Sequence, residues 1–159
     1  MKLAVRLLAA ALVAAPISAA DPPGFAIWSA RDLKAHDAAL PAHVAADHSS
    51  RETLADYGDH RLRMLYRDAD GNPEQHDAII DVVFVQSGEG ALQLGGTMIG
   101  RRTTTAGEYV GTRLDGGERH ALAAGDIVHI PAGIPHSFLV APGTHITYVL
   151  LKIPGSAIR

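Results

Sequence analysis

From Thr53 onward apolar and polar residues alternate along the chain, and before it they do not. Over 61–67, Leu62, Met64 and Tyr66 fall on one face while Arg61, Arg63 and Arg67 fall on the other, the period-two pattern of a half-buried strand with a solvated arginine face. The same reasoning predicts strands over 53–57, 79–86, 91–94, 97–99, 119–123, 127–130, 137–140 and 146–153, with a weak one over 109–114. Turns fall at Gly58-Asp59, Asp70-Gly71-Asn72-Pro73, Ser87-Gly88-Glu89-Gly90, Gly95-Gly96 and Pro142-Gly143, built from the residue types that accept tight backbone conformations. Upstream, Ser29 is placed as an N-cap with Asp32 at the third helical position, and Leu33, Ala39 and Leu40 give a short helix that ends near Pro41 and covers one end of a sheet. Many short strands with frequent turns and no long helix predict an all-β antiparallel sandwich or barrel. A jelly roll and an immunoglobulin-like sandwich both fit that pattern.

Composition adds a leader and removes some functions. Lys2 and Arg6 precede an apolar run from Leu7 to Ala15, and Ser18-Ala19-Ala20 supplies small residues before Asp21. This is the pattern of a signal peptide cut after Ala20, and the apolar run falls short of the ~20 residues a spanning helix needs. The expected location is periplasmic or secreted, with no membrane association after cleavage. The sequence contains no cysteine, so the expected stability comes from packing without disulfides. The 159 residues, 47% of them hydrophobic, suit one cored domain: leader 1–20, arm and short helix 21–52, and barrel 53–154. The 14 basic and 17 acidic residues provide no phosphate track, so nucleic acid is not an expected partner.

The most constrained stretch is Gly125 to His136, GDIVHIPAGIPH. Gly125-Asp126 is a turn, Ile127 to Ile130 a short strand, Pro131 its stop, and Gly133 and Pro135 shape the approach to His136. An imidazole aimed this stiffly at a strand mouth suits a metal or a substrate. A second oddity is Asp81, embedded between Ile80 and Val82 with no evident protein cation, since burying an unpaired carboxylate costs several kcal/mol.

The stretch resembles the second motif of the cupin family, a glycine-aspartate turn, a strand, Pro-x-Gly and a histidine that ligates a divalent metal in many members. Residues 74–88 resemble the first motif: His76 takes the second histidine, Asp81 the acid and Gly88 the glycine, while Glu74 stands where the first histidine would be. The resemblance covers roughly residues 74 to 140 and implies an antiparallel double-stranded β-helix, the cupin jelly-roll barrel. It further implies a divalent ion, Fe, Mn, Zn or Ni, held by His76, Asp81, His136 and Glu74, with open positions for a small-molecule ligand. Such a protein is a metal-dependent oxygenase, lyase or isomerase, or alternatively a binding or sensory module that has lost its metal, with Asp81 then paired to an arginine. His129 and Tyr148 are the candidate proton-moving residues, although a surface position is the default for His129, packing for Tyr148 and solvent for Lys152. A homodimer is expected, with the apolar patch of Phe25 and Trp28 either exchanged onto a neighbour or folded back on its own sheet.

Overall fold

The computed structural model describes residues 21–155, so the leader expected over 1–20 lies outside the described residues. The long strand β4 (Ile79–Leu94) is the spine to which both sheets attach. Its first half sits between β12 (Ile146–Pro154) and β10 (Ile127–Ile130), and β12 carries the same sheet on to β2 (Arg61–Arg67) and β1 (Ser49–Asp56). Its second half sits between β9 (Glu118–Ala123) and β11 (His136–Leu139), from which the other sheet continues through β3 (Glu74–His76) and β7 (Glu108–Val110) to β6 (Arg102–Thr105). A small ribbon of β5 (Thr97–Ile99) and β8 (Arg113–Asp115) closes the set. All pairings are antiparallel, as the sequence pattern predicts, and the weak strand expected over 109–114 is divided between β7 and β8.

The turn expected at Ser87–Gly90 is instead continuous strand. Tyr148 pairs with Val85 and Thr147 with Ser87, which leaves Gln86 as an extra residue on β4. Such a bulge bends the strand and changes which residues face inward: Val83 and Val85 are buried before it and Leu92 after it. Gly88 lets the bend happen at a φ of 71°. A side chain there would be forced into the left-handed region and into the carbonyl of His145. Gly88→Ala is therefore expected to lose about 2 kcal/mol or more, read as a lowered midpoint in urea denaturation. An unchanged midpoint would mean the bend is set elsewhere.

Between the sheets, Leu65, Val83, Leu92, Ile130, Phe138 and Tyr148 form the main core. A second cluster of Met64, Val149 and Leu40, with Leu33, Tyr66 and Phe84, lies on the outer face of the first sheet under α1 (Ala30–Ala39). The helix therefore covers a sheet face rather than an end. Its start follows the expected chemistry, with the Ser29 hydroxyl accepting from the Asp32 backbone N–H at 3.2 Å and the Asp32 carboxylate accepting from the Ser29 N–H at 3.0 Å, a reciprocal cap that satisfies two orphan donors. Ahead of it, in the apolar patch of Phe25 and Trp28, Phe25 is 55% exposed and does not fold back on the chain's own sheet, while Trp28 is half-buried.

Candidate metal centre

His76 ends β3 and His136 opens β11, and the two strands are paired so that His136 stands opposite Glu74. The Pro131–Pro135 turn is pinned by the Gly133 N–H donating to the His76 carbonyl at 2.7 Å, with Gly133 at a φ of 82°. The stiffness of this stretch thus brings one histidine to the other. Their rings are 5.5 Å apart, both nearly buried. Asp81, 2% exposed, enters from β4, and its Oδ2 lies 3.5 Å from the Nε2 of each histidine. Donor atoms of Glu74, His76 and His136 lie within 4.8 Å of one another, a grouping that can hold a metal ion.

The far nitrogens of both rings are engaged. His136 Nδ1 donates to the Ile134 carbonyl at 3.0 Å, and His76 Nδ1 contacts Glu108 Oε2 at 2.5 Å. With Nδ1 as donor, each Nε2 presents its lone pair to the cavity, the outer support found behind metal-binding imidazoles. Burial pushes the His76 pKa down, but Asp81 and Glu108 outweigh it together against the opposing Lys152, and the net shift is upward.

The cation that Asp81 lacks in the sequence is Lys152. The two residues are directly opposed on β4 and β12, so both side chains point inward. Lys152 Nζ donates to Asp81 Oδ1 and Oδ2 at 2.9 and 3.0 Å and to His76 Nε2 at 2.8 Å. Lys152 is thus a wall of the cavity rather than a solvated side chain. Burial pushes the Asp81 pKa up, yet His136, His76 and Lys152 together hold it well below the usual carboxylate range. An ammonium drawn to these atoms shows that the site favours positive charge, and the donor set fits a divalent cation.

No protein-family model matches the chain, and no curated protein sequence matches it. Among solved structures, an uncharacterized conserved protein with a double-stranded β-helix domain from Klebsiella pneumoniae superposes with a TM-score of 0.52 at 18% identity, over 75% of this chain and 90% of its own. The chain has the cupin fold. A predicted oxalate decarboxylase from Thermotoga maritima superposes with a TM-score of 0.50 at 13% identity, over 67% of this chain and 80% of its own. A cupin 2 conserved barrel domain protein from Rhodopseudomonas palustris does so with a TM-score of 0.48 at 22% identity, over 70% of this chain, which spans 63% of that protein.

Within the cupin barrel the residues singled out from the sequence separate. Glu74, His76, Asp81 and His136 converge, and Tyr148 joins their surroundings, fully buried and stacked on Phe138 at 4.6 Å between ring centroids. Its hydroxyl accepts from Arg67 Nε at 3.1 Å, and burial pushes its pKa up despite the neighbouring guanidinium. His129 is excluded: it is exposed on β10, two residues from the exposed Ile127, and does not line the cavity. Parity explains this, since the buried Ile130 takes the inward position on that short strand. The arginine face of β2 is a second correction, because Arg63, Leu65 and Arg67 point into the cupin cavity rather than into solvent. A broad groove bounded by Asp70, Glu89, Arg119 and Pro142 lies away from the histidines.

Glu108 is the residue the sequence did not disclose. It stands opposite His76 across the β3–β7 pair, a non-local register with no local signature. Replacing it by glutamine is expected to weaken divalent-metal binding by about 10–100-fold. Competition against a chelating dye would measure this, and an unchanged affinity would remove Glu108 from any orienting role.

Proposed function

We propose that this cupin barrel holds a divalent ion on Glu74, His76 and His136, with Asp81 beside them, and uses it to act on a small molecule as an oxygenase, lyase or isomerase. The observation that carries the reading is the pair of Nε2 atoms turned toward one another's cavity with both Nδ1 atoms engaged behind them. A bound divalent ion would supply polarisation of an oxygen atom of the substrate or of water. The chain's own residues do the rest. Lys152 Nζ, between Asp81 and His76, is placed to donate a hydrogen bond at the cavity wall. Tyr148, its pKa raised by burial, remains a neutral hydroxyl that orients rather than deprotonates. The small cavity, with a free volume of ≈ 40 Å³ and the buried rings of Phe138 and Tyr148 on one side, limits the water present.

Metal analysis tests this. Full chain purified after supplementation with Fe(II), Mn(II), Zn(II) or Ni(II) is expected to carry about one equivalent of one of them, and His76→Ala/His136→Ala to carry none. Absence of stoichiometric metal under all four conditions overturns the reading.

A second reading is favoured by Lys152. Its ammonium already satisfies the buried Asp81 carboxylate, so the same barrel can stand as a metal-free module that binds a small ligand without turnover. Metal-free wild type with a stable fold would select it.

A further inference from the structure

Strand β2 carries two guanidinium groups into the cavity and gives neither a carboxylate. Arg67 is 9% exposed, and its one hydrogen bond among the described residues goes from Nε to the Tyr148 hydroxyl. Arg63 Nε is buried with no partner at all. Neighbouring cations are treated differently: Arg51 pairs with Asp47 at 2.8 Å, Arg61 pairs with Asp56, and Lys152 pairs with Asp81 at 2.9 Å. The cavity carboxylates are committed elsewhere, Asp81 to Lys152 and the imidazoles, and Glu74 to the side of His76, at 3.6 Å from its Nε2. Arg51, Arg63, Arg67 and Lys152 line the cavity against Glu74 and Asp81; with Arg51 neutralised from outside by Asp47, one positive charge is left in excess. Burying charge without a paired counter-charge costs free energy: burial together with Arg61 and Arg51 lowers the pKa of the half-buried Arg63, whereas at Arg67 the opposing burial is outweighed by Tyr148, with Glu74 and Asp47 at longer range, and the shift is upward.

We infer that Arg63 and Arg67 form an anion subsite beside the histidines, and that the molecule it receives is a small organic carboxylate. The guanidinium fork matches a planar carboxylate. Leu65, Phe138 and Leu150 line the same cavity, so a carbon substituent has an apolar wall to meet, which inorganic sulfate or phosphate would leave unused. The ≈ 40 Å³ of free volume corresponds to about three water positions, which limits the buried part to a carboxylate and about one carbon. The inference deepens the metal reading by naming its substrate class, but the arginines bind whether or not a metal is present.

The test uses the full chain, stripped of metal, titrated with sodium acetate and separately with acetamide, which has the same shape and no charge. The readout is the Nε–Hε resonances of Arg63 and Arg67 by NMR, at constant ionic strength. Acetate is expected to shift both resonances saturably and to bind about tenfold or more tightly than acetamide. Arg63→Gln and Arg67→Gln should each weaken acetate about tenfold or more, with Arg67→Lys recovering part of the loss. Equal binding of acetate and acetamide, wild-type affinity in both glutamine variants, or sulfate binding as tightly as acetate would each overturn the inference. If Arg67→Gln fails to fold, Arg63→Gln and the acetate–acetamide pair decide it. Because the protein is stripped, a failed metal analysis leaves this result standing, and failure here leaves the metal centre untouched.

Discussion

Lys152→Met is expected to cost metal-free protein about 3–5 kcal/mol of folding stability, because it leaves Asp81 as a buried carboxylate without its cation. Asp81 is 2% exposed and takes both of its shortest hydrogen bonds from Lys152 Nζ; the histidines at 3.5 Å replace that charge only by taking up protons. Asp81→Asn/Lys152→Met is expected to recover most of the loss, since no charge is then buried. The acid limb follows from the same pair. Burial raises the Asp81 pKa, but His136, His76 and Lys152 more than reverse it, so the folded value lies below the unfolded value of about 3.9. The unfolded chain therefore takes up the proton first. Stability from this group is complete above that unfolded value and drains away as pH falls below it. Urea denaturation from pH 7 to 3 should show the slope in wild type and a flatter one in Asp81→Asn. A full-strength divalent ion should restore part of the Lys152→Met loss; no loss in the first place would mean that Asp81 has another cation.

The second large effect is on the metal. His136→Ala removes one of the three grouped donors, and the expected fall in divalent-metal affinity exceeds 100-fold, above the range for loss of an outer partner such as Glu108. The fold should persist, because β11 keeps its backbone pairing to β4 and β3. Thermal denaturation would check the fold and chelator competition the affinity. Affinity within a few-fold of wild type would show that His136 is not a ligand.

What was legible in the sequence was local. The capped helix, most of the alternating strands and the GDIVHIPAGIPH turn are each dictated by residues within a few positions of one another. The helix and the turn are where the pattern placed them, while β1 begins at Ser49, ahead of the expected Thr53, and the short strands β3 and β6 had no alternating pattern to announce them. What stayed hidden depends on register between distant strands. Lys152 meets Asp81 only because β12 pairs with β4 at that residue, and Glu108 meets His76 only through the β3–β7 pair. The arginines misled for a different reason: alternation shows that one face of β2 is polar, and a polar face reads as solvent unless the barrel encloses it. The turn expected at Ser87–Gly90 failed because glycines that end one strand elsewhere here bend a strand that passes between two sheets.

A metal centre between β3 and β11 would be seen by anomalous diffraction from crystals of the metal-loaded full chain, collected at the edge of the metal found. One peak is expected, bounded by Glu74, His76 and His136 at about 2.0–2.2 Å from both Nε2 atoms, with Lys152 Nζ moved off His76. No peak there, with Lys152 still bonded to both His76 and Asp81 in a protein exposed to excess metal, would contradict it.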